Sequence, residues 1–250
     1  LTVAAICGSR QELEELESLR SPAVETVGCL VPQWQSMLNC LKTLPGRDPL
    51  QAMYSWSEPM RQTLFHLVNR EPFDLVHIEH LRAALFGLQL RKDVHEQSGH
   101  GIPIVWDSVD CISHLFRQAS TGSRSIKGRL MTTLELARTE RFEGRILKCF
   151  DSVVVTAPTD AAALNALSAT HGQSDNSNVH VVCNGVDLDY FRPSGGARHA
   201  ATIVITGKMS YHANITAVKY LVKDIMPIVW RQRPDARLVI VGKDPPPDVR

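Results

Sequence analysis

The feature that most constrains the fold is the closing stretch of the chain, residues 202–247, which is typical of a β-loop-α-β unit. The apolar, β-branched run TIVIT at 202–206 has the length of a buried strand, and Gly207 and Lys208 follow it. An amphipathic segment comes next, and then a second apolar run at 237–241. Two strands that are joined through a helix pair in parallel, so the sequence predicts a parallel sheet here.

The helix of this unit has apolar residues at spacings of three and four, which predicts one buried face. Asn214 is the predicted N-cap, because its side-chain oxygen can accept a hydrogen bond from a free backbone N–H. Pro227 lies inside the periodic run. We therefore expect a break near Met226 and a second short helical segment that ends at Arg233.

The rest of the chain shows the same alternation of strand-like and helix-like segments. Buried strands are predicted at 1–6, 24–31, 73–80, 102–106, 151–156 and 179–183. Helices are predicted at 11–19, 34–41, 58–68, 81–90, 126–148 and 159–167. This alternation predicts an α/β fold with a doubly wound parallel sheet, whose ligands bind beyond the carboxyl ends of the strands.

Composition and charge narrow the possible functions. The chain of 250 residues is 44% hydrophobic and 21% charged, which is typical of a globular protein. Its 27 basic and 26 acidic residues give a net charge of +1, so no general field favours nucleic acid. No apolar run approaches the ~20 residues that span a bilayer, and no secretory signal is present, so we expect a cytoplasmic protein. The scattered cysteines, without a CxxC pair, are predicted to be reduced core residues.

The chain termini predict a fragment, and a turn followed by a linker-like segment predicts a domain boundary. It begins at Leu1 without an initiator methionine and ends at Arg250 directly after a proline-rich loop, so we expect a fragment of a longer protein. The turn NGVDLDYFRP ends at Pro193, and SGGARHAA after it has linker composition. The predicted domains are therefore 1–193 and 194–250, the second being the beginning of another Rossmann-like domain.

Four segments in this order and spacing carry a family resemblance: DLVHIEHLR, FDSVVVTAPTDAAAL, VHVVCNGVDLDYFRP and the closing unit. Together they resemble a family 4 glycosyltransferase with the two-domain GT-B fold. The resemblance implies retaining transfer of a sugar from a nucleotide-sugar donor to a glycan, lipid-linked or small-molecule acceptor, in the synthesis of cell-surface polysaccharide or glycoconjugates. It implies no metal ion and no other cofactor. The first domain would hold the acceptor and the second would hold the donor.

The donor site is predicted around the loop after the first strand of the closing unit. The leaving group is a nucleoside diphosphate, so a cation and backbone N–H groups must neutralise charge on its phosphates. Lys208 occupies the place where the family has a basic residue, and Gly207 would allow the phosphates to approach closely. The alternative is that Lys208 is a solvated loop lysine. Asn214 would also contact phosphate, although helix capping accounts for it equally well.

The acceptor site is predicted where two strands of the first domain end. Asp107 and Asp110 follow the predicted strand 102–106, where the family often has a histidine or a carboxylate, and this sequence has DSVD. Either carboxylate would orient or deprotonate an acceptor hydroxyl. The alternative for Asp107 is a helix N-cap. Glu79 and His80 end the preceding strand and are expected to line the same cleft.

Two other patterns in the sequence have both a functional and a structural explanation. His77, Glu79 and His80 are residue types that bind metals. However, His77 and His80 are three positions apart on a predicted strand and face opposite sides, so no metal is expected. The helical region near 124–148 is rich in basic residues that would face an anionic acceptor or a lipid headgroup in peripheral membrane contact. Interleaved glutamates favour a solvated, ion-paired face instead. The basic residues are Arg124, Lys127, Arg129, Arg138, Arg141, Arg145 and Lys148.

Two departures from the family bear on activity. The glycine-rich loop expected after the very first strand is absent, and the carboxylate-rich segment that holds the donor sugar would lie beyond Arg250. We therefore expect these 250 residues to have little transferase activity by themselves. The alternatives are a non-catalytic α/β binding module and another GT-B enzyme, such as a nucleotide-sugar epimerase.

Overall fold

The computed structural model describes residues 1–98, 101–120, 126–170, 178–193, 195–197 and 199–247. The chain divides into two compact units, residues 1–185 and 186–250. The boundary lies a few residues before the predicted one at Pro193.

The first unit alternates strands and helices from its first residues. Its strands are β1 (Thr2–Cys7), β2 (Glu25–Leu30), β3 (Val76–Glu79), β4 (Ile104–Val109), β5 (Ser152–Val155) and β6 (Val179–Val181). Its helices are α1 (Arg10–Glu17), α2 (Gln33–Thr43), α3 (Leu50–Tyr54), α4 (Glu58–Arg70), α5 (His80–Ser98), α6 (Ile112–Ser120), α7 (Ile126–Ile146) and α8 (Pro158–Thr170). A 3-10 turn, Leu147–Cys149, follows α7.

The strands of the first unit form two parallel sheets. One has the order β3-β4-β5-β6, and β1 pairs with β2 in the other. In the larger sheet Glu79 pairs with Asp107, and the register between β4 and β5 shifts between Asp107 and Val109. The predicted α/β class with parallel sheets is confirmed.

The core of the first unit lies on one face of the larger sheet. Ile104, Trp106 and Ser108 on β4 are buried, and the residues between them are half-buried. This alternation follows from the strand period of two and directs Trp106 against the ring of Phe150, with centroids 5.6 Å apart. Apolar residues of α5, α7 and α8 complete the core: Leu81, Ala84, Phe142, Ile146 and Leu164.

Helix α7 differs from the predicted solvated, ion-paired face, because one of its stripes is polar and buried. Glu135, Thr139 and Glu143 lie four residues apart and are all buried. Glu135 Oε1 accepts hydrogen bonds from the first two backbone N–H groups of α3, at 2.6 and 3.4 Å. Arg138 is also buried and donates to the carbonyl of Leu44.

Other charged residues of this helix do fit the predicted surface role. Arg145 pairs with Asp48 at 3.0 Å, and Glu140 pairs with Arg117. Arg124 and the side chains of Lys127 and Arg129 lie outside the described residues.

The second unit forms the predicted β-α-β arrangement. Strands β7 (Thr202–Thr206) and β8 (Arg237–Val241) pair in parallel, with Thr202 opposite Arg237. Between them lie α9 (His212–Tyr220), a π-helical segment (Leu221–Ile225) and α10 (Met226–Gln232). The predicted second segment is present and begins at Met226, but the backbone stays helical through the π segment, so the predicted break is a change of hydrogen-bond pattern. Pro227 cannot donate a hydrogen bond to the preceding turn, so the helix restarts there.

The prediction that Asn214 caps the helix is wrong. Helix α9 begins at His212 with Tyr211 as its N-cap, so Asn214 lies inside the first turn. Its side-chain N–H donates to the carbonyl of Lys208 at 3.0 Å and ties the helix to the loop before it.

Several other elements differ from the sequence-based expectations. Helices α3 and α6 were not predicted, and β3 is shorter than the predicted strand 73–80 because it begins at Val76. All six cysteines are free, as predicted, but Cys183 is exposed and is therefore not a core residue. Among the described residues, no helix combines the length and the apolar character that crossing a bilayer requires.

Candidate active site

The candidate site lies at the carboxyl edge of the larger sheet, where β3 and β4 end side by side. Glu79 is the last residue of β3 and pairs with Asp107 of β4. Paired residues of adjacent strands point to the same face, so both lie on the face opposite the buried Trp106. The two strands therefore bring the predicted acceptor residues to one edge, as the parallel order requires.

Strained backbone marks the ends of both strands. His80 follows β3 with φ of 65°, and Val109 ends β4 with φ of 64°. The left-handed region is uncommon for non-glycine residues and is least favourable for a β-branched one such as valine. Such conformations persist where the surroundings hold them, and they cluster at functional sites.

Hydrogen bonds from both sides hold Val109 in this conformation. Its backbone N–H donates to Asp107 Oδ1 at 3.0 Å. Its carbonyl accepts from the backbone N–H of Thr156 at 2.9 Å and from the Thr156 hydroxyl at 3.0 Å. The turn is thus fixed by β4 itself and by the end of β5.

The residues after this turn are held by two buried carboxylates from other helices. Asp160 of α8 accepts from the backbone N–H of Cys111 at 3.0 Å. Glu143 of α7 accepts from the backbone N–H groups of Ile112 and Ser113 at 2.8 and 3.2 Å, so it caps α6 from outside. Burial raises the pKa of Glu143 to about 7, and the hydrogen bonds that it accepts oppose this shift.

Asp107 therefore has a local structural role. Its Oδ1 holds Val109, and its Oδ2 lies 3.5 Å from Nε2 of His77 on the neighbouring strand. The alternative that Asp107 caps the next helix is wrong, because Glu143 occupies that position.

Asp110 and His80 retain free polar atoms at the edge. No hydrogen bond to the Asp110 carboxylate occurs within the described part of the chain, and the buried Nδ1 of His80 lacks a partner there. Burial lowers the pKa of His80 below its ordinary value and Arg82 lowers it further, while Asp110 and Glu79 oppose this shift. The imidazole is consequently neutral at neutral pH and can accept or donate a hydrogen bond. Glu79 is exposed at the same edge.

The predicted donor residues lie together in the loop after β7. Lys208 is exposed, and its carbonyl accepts from Tyr211 N and from the Asn214 side chain. A Cβ on Gly207 would lie 2.8 Å from Nδ2 of Asn214, so a larger residue here would displace the Asn214 side chain. A Cβ on Gly242 would lie 1.9 Å from the carbonyl oxygen of Gly207, so the loops after β7 and β8 touch through their backbones.

Sequence reasoning missed the residues that support both sites. Thr156, Asp160 and Glu143 are distant in sequence from the turn that they hold, and Gly242 has no motif of its own. The sequence did contain one signal for Glu143. Its apolar neighbours Phe142 and Ile146 lie on the buried face of the helix, and Glu143 lies beside them. Within the described ranges, no group of three His, Cys, Asp or Glu residues could hold a metal ion.

Comparisons with known proteins give one family and a distant structural likeness. The family model described as glycosyl transferase 4-like domain matches residues 2–185, which coincides with the first unit. No curated protein matches the chain. A solved structure titled S. aureus MnaA-UDP co-structure is similar, with 14% identity and a TM-score of 0.42. The alignment covers 100% of this chain and 63% of that one.

Proposed function

Because the chain belongs to the glycosyl transferase 4-like domain family, we propose that it is part of a retaining GT-B enzyme. The enzyme transfers a sugar from a nucleotide-sugar donor to a glycan, lipid-linked or small-molecule acceptor. The observation that carries this proposal is the pair of free polar groups, on His80 and Asp110, at the carboxyl edge of the family-matched unit. We place the reaction in cytoplasmic synthesis of cell-surface polysaccharide or glycoconjugates.

We assign the acceptor hydroxyl to Asp110 and His80. The Asp110 carboxylate accepts a hydrogen bond from the hydroxyl and orients it, and the neutral imidazole of His80 takes up a proton or donates at Nδ1. Asp107 then acts as a positioning residue, because its carboxylate is committed to Val109 and His77. We assign Glu79, which is exposed at the same edge, to contact with the acceptor as well.

We assign the donor diphosphate to the loop after β7. Lys208 supplies the cation that offsets charge on the leaving phosphates, so the reaction needs no metal ion. Asn214 fixes the loop by its hydrogen bond to the Lys208 carbonyl rather than by contacting phosphate. Gly207 and Gly242 keep the loop backbone clear of side chains, which permits close approach of the diphosphate.

Titration calorimetry on the full native protein with UDP, GDP and ADP tests the donor assignment. We expect one nucleotide to bind, and Lys208→Ala to weaken its binding by about tenfold, since hydrogen bonds to charged groups contribute about 1.5–3 kcal/mol. Lys208→Arg should bind nearly as well. Lys223→Ala, which removes an exposed lysine from the π-helical segment, is the control.

Turnover tests the reaction itself. With the bound donor and an acceptor mixture, product analysis should show sugar transfer with retention, and Asp110→Asn should reduce the rate by about 10²-fold or more. Isomerisation of the nucleotide-sugar without transfer would contradict the proposal and favour an epimerase. Nucleotide binding with no conversion of any donor would favour a non-catalytic binding module.

Peripheral membrane contact through α2 is the second part of the proposal. The predicted basic face of α7 is partly buried and partly ion-paired, as described above. Helix α2 instead exposes large apolar side chains on one side, with Trp34, Met37 and Leu41 being 67%, 67% and 62% exposed. An apolar helix face with an interfacial tryptophan is suited to the boundary of a lipid bilayer.

The charges around α2 suit an anionic lipid surface. No acidic residue occurs from 26 to 47, whereas Lys42 and Arg47 lie within this stretch. Basic residues beside an apolar helix face are attracted to anionic headgroups.

A further inference from the structure

A cavity of about 500 Å³ lies at the opposite edge of the larger sheet from the candidate active site. It is formed by the second half of α5, the start of β4 and the 3-10 turn Leu147–Cys149. In a parallel sheet the amino ends of the strands share one edge and the carboxyl ends share the other, so this cavity is separate from His80 and Asp110. Its size falls within the about 300–1,000 Å³ typical of small-molecule sites.

The inner wall of the cavity is apolar. Leu90, Val94 and Ile104 line it and are 3%, 6% and 2% exposed. The backbone N–H of Ile104 already donates to Asp151 Oδ2 at 2.7 Å, so it offers no free donor to a ligand. This wall fits a hydrocarbon or aromatic body.

Basic side chains surround the apolar wall. Arg91, Lys92, His95 and Lys148 line the cavity, and none of its described lining residues is acidic. Arg91 is committed to Asp151, with 2.6 Å to each carboxylate oxygen, and to the carbonyl of Cys149. The rim therefore carries more basic than acidic groups, although Asp151 already pairs with Arg91.

Lys148 is the cation most available to a ligand. It is exposed, and no carboxylate lies within ion-pair distance of it in the described part of the chain, whereas Lys92 is 3.9 Å from Glu96. Lys92 and His95 lie near the end of α5, where cations are favourable at a helix C-terminus. Lys148 belongs to another element, so the dipole of α5 does not explain its place at the same rim.

We infer that this cavity binds a small organic anion with an apolar body. The body lies against Leu90, Val94 and Ile104, and a carboxylate or phosphate head group pairs with Lys148 and lies near Lys92. The site lies away from the sugar-transfer edge and does not depend on the proposed function.

Calorimetric titration of the whole chain with dodecanoate and with dodecyl phosphate tests this inference. We expect saturable one-to-one binding that weakens with added salt, because the head group is paired at an exposed rim. The carboxylate and phosphate arms identify which head group is preferred. Dodecanol, which lacks the charge, should bind more weakly than either by about tenfold, the scale of a charge-assisted hydrogen bond.

Two variants locate the binding. Lys148→Ala should weaken dodecanoate binding by about three- to tenfold, a reduction smaller than for a buried pair because the lysine is exposed. Ile102→Trp, at a half-buried lining position, should fill the cavity and abolish binding while circular dichroism shows an intact fold. The control is Arg141→Ala, which removes an exposed cation of α7 outside the cavity.

Two outcomes would overturn the inference. Absence of saturable binding of either anion to the unaltered chain is one. Binding that both Lys148→Ala and Ile102→Trp leave unchanged is the other, because it would lie elsewhere on the surface.

Discussion

At the edge of the larger sheet, Val109 has a strained backbone conformation that the surrounding hydrogen bonds stabilise. Val109 combines a β-branched side chain with a left-handed backbone, which costs about 1–3 kcal/mol. Two hydrogen bonds offset this cost. Asp107 accepts from the backbone N–H of Val109, and the Thr156 hydroxyl donates to its carbonyl. The position of Asp110, the next residue, depends on this turn.

Val109→Asn tests this strain. Asparagine tolerates the left-handed region, so relief of strain should offset the lost apolar contacts, and the free energy of unfolding should change by no more than about 1 kcal/mol. The matched control is Val105→Asn, also half-buried on β4 but in ordinary strand backbone, which should lose about 1–3 kcal/mol. Denaturant unfolding measures both, and equal losses would contradict the strain.

Glu143 makes stability depend on pH. In the folded chain burial raises its pKa from 4.5 to about 7, so between these values the folded state keeps a proton that the unfolded state has released. The free energy of unfolding therefore falls as pH rises through this window, by an amount on the order of 2 kcal/mol from this group.

Glu143→Gln removes that pH dependence. The difference in unfolding free energy between variant and unaltered chain should shift in favour of the variant from pH 5 to pH 8, as denaturant melts at several pH values would measure. Glu140→Gln on the same helix, whose carboxylate pairs with Arg117 at the surface, should retain the fall. A constant difference across the pH range would show that Glu143 is not the group responsible.

Gly242 is required where two loop backbones touch. Gly242→Ala places a methyl group 1.9 Å from the Gly207 carbonyl oxygen, so the backbone must move, at a cost of several kcal/mol, roughly the overpacking range. Gly185→Ala is the control, because nothing lies within 4 Å of a Cβ there. Thermal unfolding compares the two. A Gly242→Ala chain as stable as the control would mean that the two loops lie further apart.

At the scale of elements, α7 organises the first unit through its buried polar stripe. Glu135 bonds to the first backbone N–H groups of α3, and Glu143 bonds to those of α6. A short helix leaves its first N–H groups without partners, so carboxylates from a neighbouring helix stabilise α3 and α6 where their own sequences supply no cap. Both helices were absent from the sequence-based prediction for this reason.

The exposed face of α2 gives a prediction at the same scale. Combined replacement of Trp34, Met37 and Leu41 by serine should weaken binding to phosphatidylglycerol vesicles by at least about tenfold, since burying each side chain contributes about 1.5–3 kcal/mol. Vesicle sedimentation measures the effect. Leu19→Ser, at an exposed leucine after α1, should bind as before. Binding that the triple replacement leaves intact would contradict contact through α2.

At the scale of the whole molecule, the chain is two units joined by an exposed segment. Residues 182–193 are exposed throughout. Asp187 forms a turn here by accepting hydrogen bonds from the backbone N–H groups of Asp189, Tyr190 and Phe191, and the rings of Tyr190 and Phe191 contact each other edge to face. The family match ends at residue 185, where the first unit also ends.

Limited chymotrypsin digestion tests the division. The first cut should fall at Tyr190 or Phe191, because exposed loops between compact units are the preferred sites of proteolysis, and mass spectrometry should find two resistant fragments. Val186→Pro, just before this turn, should leave the cut site unchanged. A first cut inside β3 to β5 would contradict two independent compact units.

The sequence by itself determined the alternation of strands and helices, the parallel pairing of β7 with β8 and the helix restart at Met226. These depend on side-chain period, on β-branched runs and on the missing N–H of proline, all of which are local. It also placed Glu79, His80 and Asp110 at one edge, because parallel strands share that edge.

Only the tertiary structure decided what each of these side chains does. Asp107 stabilises a turn because its carboxylate accepts a hydrogen bond from Val109 N–H. Glu143 caps α6 because α7 packs beside the start of that helix. Asn214 lost its predicted cap because α9 begins earlier and the Lys208 carbonyl lies within its reach. Hydrogen-bond partners that are distant in sequence are brought together by packing, and no local pattern in the chain encodes them.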